Sequence, residues 1–317
     1  MTAPTAGAMH VMAGVMLDAQ GRVLLAQRPP GKHLAGLWEF PGGKLEAGEA
    51  PADGLVRELQ EELGIDAAIG EPLIRVPWRY GERSLLLDAR VVRSWRGQPA
   101  SLDGQALRWC APAAVDLNLL APADRHILRA LQLPARYAIT ADVPVEETGE
   151  WSRRIRGAIA AGERMILLRF PQWPVAQVRA LAAELLPEAR DRGTHLLLSG
   201  DVDGALALGE GVGVQLKAAQ LATFHARPLP LTQWVGASCH RDDELEQAQE
   251  VADFATLSPV AATATHPGVT PMGWAAFEAR VSGSALPVYA LGGMSLALLD
   301  TARAAGGQGV AGIRGFW

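Results

Sequence analysis

Glu58, Glu61 and Glu62 are the residues whose type and spacing most plainly suggest chemistry, within Arg57-Glu58-Leu59-Gln60-Glu61-Glu62-Leu63-Gly64-Ile65. Pro51 suits the first position of a helix and Gly64 the residue beyond the last, so the sequence predicts a helix from about Pro51 to Leu63. On that helix the three carboxylates stand at i, i+3 and i+4 and share one face, while Leu55, Leu59 and Leu63 form a separate apolar stripe. Like charges so close repel, and the cluster becomes favourable when cations neutralise it. Anionic oxygen donors of this kind suit Mg²⁺ or Mn²⁺, ions that also hold substrate phosphates. A solvated acidic face is the commoner origin of such a cluster, yet it does not explain the wider pattern: Gly43, five residues, Glu49, seven residues, then Arg57-Glu58.

That pattern, from Gly42-Gly43-Lys44-Leu45-Glu46-Ala47-Gly48-Glu49 through Ile65, is the signature of Nudix hydrolases, and the first half of the chain resembles that family. The likeness to its MutT-type 8-oxo-dGTP diphosphatases extends to Gln27-Arg28, His33, Leu37 to Lys44, Tyr80, Arg83, Trp95, Gly104-Gln105 and Trp109. It implies that Glu58, Glu61, Glu62 and the carbonyl of Gly42 hold Mg²⁺ (or Mn²⁺), which polarises phosphoryl oxygens and lowers the pKa of the attacking water. Arg57 would fix the carboxylates by bidentate pairing. Asp103 aligns with an acidic residue outside the signature, as a further ligand or base; a turn Asp before Gly104 is the alternative.

The same resemblance directs Arg28 and His33 to the substrate and puts Glu39, Phe40, Pro41 and Gly42 around the nucleoside, with Tyr80 and Arg83 completing the binding set. Asp124 falls where MutT-type enzymes place the Asn that reads the oxidised purine, unless it merely caps a helix beginning near Arg125. 8-Oxoguanine carries a hydrogen on N7 where guanine has a lone pair, so an acceptor beside N7 discriminates the two. An Asn also donates to O6, which an Asp does only when protonated. Water attacking the β-phosphorus would release pyrophosphate and a nucleoside monophosphate, which removes a mutagenic nucleotide from the pool.

The elements that must carry these residues read as α/β. Met9–Leu17 and Arg22–Arg28 are strand-like and flank Asp18-Ala19-Gln20-Gly21, a hairpin signal. Leu85–Arg93 and Leu107–Trp109 continue the strand pattern, and Asp124–Leu133 closes this half as a helix, giving the Nudix α/β/α sandwich with a mixed sheet. A length of 317 residues exceeds one comfortable core, and Pro134 separates domains spanning 1–133 and 134–317. A net charge of −5 argues against a nucleic-acid polymer as partner and leaves small nucleotides bridged by metal. Cys110 and Cys239 form no disulfide framework, and Met9–Leu17 lacks both the charged start of a signal peptide and the length of a membrane span, so a cytoplasmic protein is expected.

Beyond Pro134 eight short apolar runs alternate with helical segments: Tyr137–Thr140, Met165–Phe170, His195–Ser199, Gly213–Leu216, Trp234–Ser238, Phe254–Pro259, Pro287–Leu291 and Gly309–Arg314. Glu150–Ala161, Val175–Leu186, Asp242–Ala252 and Ser295–Ala305 are among the connecting helices. This is the order of a (β/α)₈ TIM barrel lacking the last helix, with one flank short of its usual cover; an open doubly wound sheet is the alternative. Trp234 to His240, Thr263-Ala264-Thr265 and Ala290-Leu291-Gly292-Gly293-Met294 resemble the thiamine-phosphate synthase and TenI family. By that resemblance Thr263, Thr265, Gly292 and Gly293 would line a phosphate cup, though tight barrel turns explain the glycines equally well.

The departures from that family are informative. Its metal-binding carboxylates are replaced by Ser199-Gly200 and Gln220, its lysines by His266 and by Phe170-Pro171-Gln172-Trp173, and the TenI histidine by Pro259. Synthase and tautomerase chemistry are therefore not expected, while binding of a thiamine-pathway phosphate is left open. Two readings follow: a nucleotide-sanitising hydrolase with a barrel that has lost its chemistry, or a thiamine-pathway diphosphate hydrolase or sensor. Oligomeric state is not legible.

Overall fold

The computed structural model describes residues 8–263 and 268–317, and the chain divides between Leu133 and Pro134 into two compact units. The first contains strands β1 (Met9–Met16), β2 (Val23–Gln27) and β3 (Trp38–Glu39), helix α1 (Pro51–Leu63), strands β4 (Asp66–Tyr80), β5 (Arg83–Arg96) and β6 (Leu107–Cys110), and helix α2 (Pro122–Gln132). One sheet is mixed, in the order β1-β5-β4 with β1 parallel to β5 and β5 antiparallel to β4; the other is antiparallel, β3-β2-β6.

Helix α1 forms where the capping signals place it. Pro51 opens it, and Gly64, at φ 68, turns its amide back to the carbonyl of Gln60. Leu55, Leu59 and Leu63 are fully buried with Met12, Met16, Leu24, Ile65 and Val92, each such leucine contributing about 1.5–3 kcal/mol of transfer free energy. That stripe fixes which face of the helix is left for the glutamates.

Three expectations are corrected here. The Asp18–Gly21 turn exists, closed by Asp18 N–H to Arg22 O at 3.0 Å, but beyond the single bridge Leu17↔Val23 its two strands part into different sheets. The fifteen-residue β4 is absent from the sequence reading because Gly70, Pro72 and Pro77 interrupt its alternation; register shifts beside Ile69, Pro72 and Ile74 absorb the irregularity. Helix α2 begins at Pro122, two residues early, so Asp124 lies inside its first turn and is not its N-cap.

The second unit holds strands β7 (Arg136–Ile139), β8 (Met165–Leu168), β9 (His195–Ser199), β10 (Val212–Leu216), β11 (Val235–Cys239), β12 (Phe254–Leu257), β13 (Val288–Ala290) and β14 (Gly309–Gly312). All pair in parallel and close into a barrel, which removes the open-sheet alternative. The helices between them are α3 (Thr148–Ala160), α4 (Val175–Arg192), α5 (Val202–Leu208), α6 (Ala218–Leu221), α7 (Asp242–Val251), α8 (Gly273–Val281) and α9 (Leu299–Ala304).

Helix α4 runs past the expected end at Leu186, through Pro187, because burial of Leu185, Leu186 and Ala189 offsets an internal proline that costs about 3 kcal/mol. The flank expected to lack cover is partly filled by the last residues. The Phe316 ring lies over Gly312, and the Trp317 indole donates to the Ile139 carbonyl at 2.7 Å and meets Trp151 edge-on. No helix among the described residues is long and apolar enough to cross a membrane.

Candidate functional site

Arg57 is the organiser of the acidic face. Its Nε and Nη2 donate to the two oxygens of Glu49, both at 3.0 Å; Nη1 donates to Glu58 at 2.9 Å and Glu61 at 3.3 Å; Nη2 also reaches the Lys44 carbonyl at 3.1 Å. One guanidinium thus ties the loop before α1 to two of its glutamates. The Glu58 carboxylate lies across Gly43, where an added Cβ would sit 2.1 Å from Oε2, so any larger residue there would push Glu58 aside. Glu62 is instead held by the Gly42 amide, which donates to Oε2 at 3.2 Å.

Burial, with Glu39, Glu58 and Asp103 adding repulsion, pushes the Glu62 carboxyl up to about 7. Glu62 thus shares its surroundings with three other carboxylates, and the donors gathered there are all oxygen, so the residues fit Mg²⁺ or Mn²⁺. In the arrangement seen, Glu58 and Glu61 turn toward Arg57, and no three His, Cys, Asp or Glu side chains of the described residues converge on one point. Asp103 is exposed on its loop; Gln105, in register with the MutT-type enzymes but given no role by the sequence, accepts its amide at 3.1 Å and donates to the Glu62 carbonyl at 3.2 Å.

Of the expected nucleoside residues, Glu39, Phe40 and Pro41 lie on the short segment that leads to Gly42, and Arg28 and Asp124 bond to that segment from other elements. Arg28 pairs with Glu39 and donates through Nε to the His33 carbonyl at 2.6 Å, so its guanidinium is tied to protein groups rather than left open. The His33 ring meets Tyr80 edge-on at 5.1 Å, and the Tyr80 hydroxyl accepts the Ala123 amide at 3.3 Å. Phe40 is buried; its amide donates to Asp124 Oδ1 at 2.9 Å, while the Pro41 carbonyl accepts from Gly14 at 2.8 Å. Burial, reinforced by Glu39, pushes the Asp124 carboxyl up to about 8. Arg83 stands exposed opposite Tyr80 on the β4–β5 hairpin and makes no hydrogen bond or ion pair among the described residues.

In the barrel a cavity of about 1190 Å³ opens among the strand ends. Gly292 and Gly293 line it at φ 90 and 69, and an added Cβ would come within 2.8 Å of Pro259 and 2.5 Å of the Ala262 carbonyl, so both turns require glycine. Thr263 lines it too, whereas Thr265 and His266 lie outside the described residues. No carboxylate lines this cavity among the described residues, which does not fit the divalent ion that the synthase resemblance implies. Cations and an imidazole line it instead. Arg169, Lys217 and Arg314, with His240, each sit one or two residues beyond a barrel strand, the usual place for barrel function and the signal that could have found them.

Comparison with known proteins agrees with both halves. Residues 12–130 match the NUDIX domain and residues 136–316 match thiamine monophosphate synthase, TMP-TENI. The CTP pyrophosphohydrolase of Escherichia coli (strain K12) is 41% identical over 122 residues, 38% of this chain and 90% of that protein. The 8-oxo-dGTP diphosphatase of Proteus vulgaris is 43% identical over 90 residues, 28% of this chain and 80% of the relative. A putative thiamine-phosphate synthase 2 of Aquifex aeolicus (strain VF5) is 30% identical over 187 residues, 59% of this chain and 99% of the relative. The chain therefore belongs, through its first unit, to the Nudix hydrolases, which act on diphosphate bonds, and through its second to the thiamine monophosphate synthase family.

Proposed function

We propose that the first unit hydrolyses nucleoside triphosphates to the monophosphate and pyrophosphate, with 8-oxo-dGTP as the preferred substrate, and so clears a mutagenic nucleotide from the pool. One observation carries this reading. Within five residues, Glu39 to Gly43, the chain holds the buried Asp124 through the Phe40 amide and Glu62 through the Gly42 amide, with Glu58 lying on Gly43. The candidate base reader and the candidate metal-binding carboxylates thus share one short segment as their support, an arrangement that would position a nucleotide for attack at its phosphates.

The chain's own residues have distinct parts in this reading. Glu58, Glu61, Glu62 and the Gly42 carbonyl are the donors that would hold Mg²⁺, and Arg57 sets two of them in place. Bound there, the ion supplies polarised phosphoryl oxygens and a more acidic attacking water. Asp103 adds negative charge beside Glu62 and is the candidate for a further ligand or base. Asp124 Oδ1 accepts the Phe40 amide and keeps a second lone pair, which would accept the N7–H of 8-oxoguanine, while a protonated Oδ2 would donate to O6.

A second reading, a preference for CTP, is favoured by the same carboxyl when ionised, because it then accepts from the cytosine amino group. The test is to incubate the full chain with Mg²⁺ and 8-oxo-dGTP, dGTP, CTP and thiamine diphosphate, rank kcat/KM and identify the products. The highest value for 8-oxo-dGTP with pyrophosphate release is expected. A higher value for CTP supports the second reading, and one for thiamine diphosphate overturns both. The two cysteines are free thiols, as suits a cytoplasmic enzyme.

A further inference from the structure

The barrel cavity is built for negative charge in a way that the loss of carboxylates alone does not explain. Arg169, Lys217 and Arg314 line it, and their side chains form no ion pair among the described residues, whereas Arg280, also in the lining, is neutralised by Asp242 at 2.7 Å. Gly200 shows that this charge is positioned rather than incidental. At φ 72 it turns the chain at the end of β9, and a Cβ there would lie 3.0 Å from Lys217 Cε and 2.8 Å from Gln220 Oε1. The Gln220 amide in turn donates to the Gly200 carbonyl at 2.9 Å and its oxygen accepts the Lys217 amide at 3.0 Å. A side chain at 200 would crowd the Lys217 stem and the Gln220 oxygen, which would have to shift to admit it. The two positions from which carboxylates would hold a metal are thus occupied by a glycine and a glutamine that seat a lysine.

Beneath the mouth, Tyr137 donates to Gln215 at 3.0 Å and Gln215 donates to Ser238 at 3.1 Å, so the floor is a closed polar network and the free charges lie at the strand ends. We propose that the barrel cavity binds a multiply charged phosphate ligand without a divalent metal ion, the Lys217 ammonium supplying the positive charge that a carboxylate-bound ion would otherwise provide. Three unpaired cations with no carboxylate in the lining match an anion of charge about −2 to −3, the range of a phosphate ester or a diphosphate at neutral pH.

The test is calorimetric titration of the full chain with inorganic pyrophosphate and, separately, inorganic phosphate, both in EDTA. EDTA also keeps the acidic Nudix face from recruiting either anion through a metal. Binding is expected in EDTA and should weaken with added salt. Lys217→Gln should weaken it about tenfold or more, Lys217→Arg should retain most of it, and both should hydrolyse nucleotides with Mg²⁺ at the wild-type rate. Tighter binding of pyrophosphate assigns a diphosphate ligand, and equal binding of the two assigns a phosphate ester. Binding that appears only with Mg²⁺, unchanged affinity in Lys217→Gln, or no heat with either anion at millimolar concentration overturns the proposal.

Discussion

Half-buried Glu62 and buried Asp124 are both acids that ordinary solvation would keep ionised, and the protein treats them differently. Glu62 lies in a cluster that a cation would neutralise, so Glu62→Gln removes charge from the reaction centre without opening a cavity in the core. Turnover with Mg²⁺ should fall by about 100-fold or more at an almost unchanged melting temperature, and near wild-type kcat from a folded variant would remove Glu62 from the catalytic set. Asp124 has no such partner, since its anion meets only the Phe40 amide and the nearby Arg28 against burial and Glu39. Its carboxyl titrates near 3.8 when unfolded and near 8 when folded, so the native state binds the extra proton between those values. Its contribution to stability is therefore full below about pH 4 and is lost as the pH rises toward 8. The same titration governs selectivity: preference for 8-oxo-dGTP over CTP should fall as pH rises through 8 in the wild type and stay flat in Asp124→Asn. A flat ratio in both proteins would leave Asp124 a structural clasp on Phe40.

At the scale of elements, the segment Glu39–Gly43 does the positioning, and its tolerance is set by close approach. Gly43→Ala puts a methyl group 2.1 Å from Glu58 Oε2, which must swing away while the backbone keeps an ordinary conformation. Displacement of a reacting group by about 1 Å commonly costs on the order of 100-fold in rate, so kcat should drop by that order with KM little changed; wild-type kcat would show that Glu58 need not lie there. This segment also shows what a sequence discloses. Helix α1 was legible because its caps, its apolar stripe and its acidic face all agree. Strand β4 was not, because two prolines and bulges break the alternation that identifies strands, and the divergence of β1 from β2 was hidden because a turn specifies its own residues, not which sheet receives the strand. The Arg57 clasp on Glu49 was half legible: ion pairing was expected, but its bidentate geometry and the bond to the Lys44 carbonyl depend on the path of the loop. Lys217 stayed hidden for a similar reason, since its meaning lies in Gly200 and Gln220, one of them on the preceding barrel strand's loop.

Across the whole molecule, the two units differ in electrostatic character: one gathers carboxylates that a cation would neutralise, and the other has a cavity lined by cations and, among the described residues, by no carboxylate. The contrast decides what the barrel can do. Coupling a pyrimidine diphosphate to a thiazole phosphate expels pyrophosphate, and the leaving group's charge has to be met as the bond breaks. Lys217 and Arg169 provide charge for binding, but Ser199, Gly200 and Gln220 provide no ligand for the ion that would travel with the pyrophosphate, and Pro259 provides no base. Incubating the full chain with Mg²⁺ and both thiamine precursors should therefore leave thiamine phosphate at background, even as nucleotide added to the same tube is hydrolysed. The internal control matters, because it shows that the protein is folded and metal-competent where the carboxylates exist. Steady formation of thiamine phosphate in EDTA that Lys217→Gln abolishes would mean that a lysine can replace the carboxylate-held ion in catalysis as well as in binding, whereas Mg²⁺-dependent formation would show that the barrel still recruits the ion.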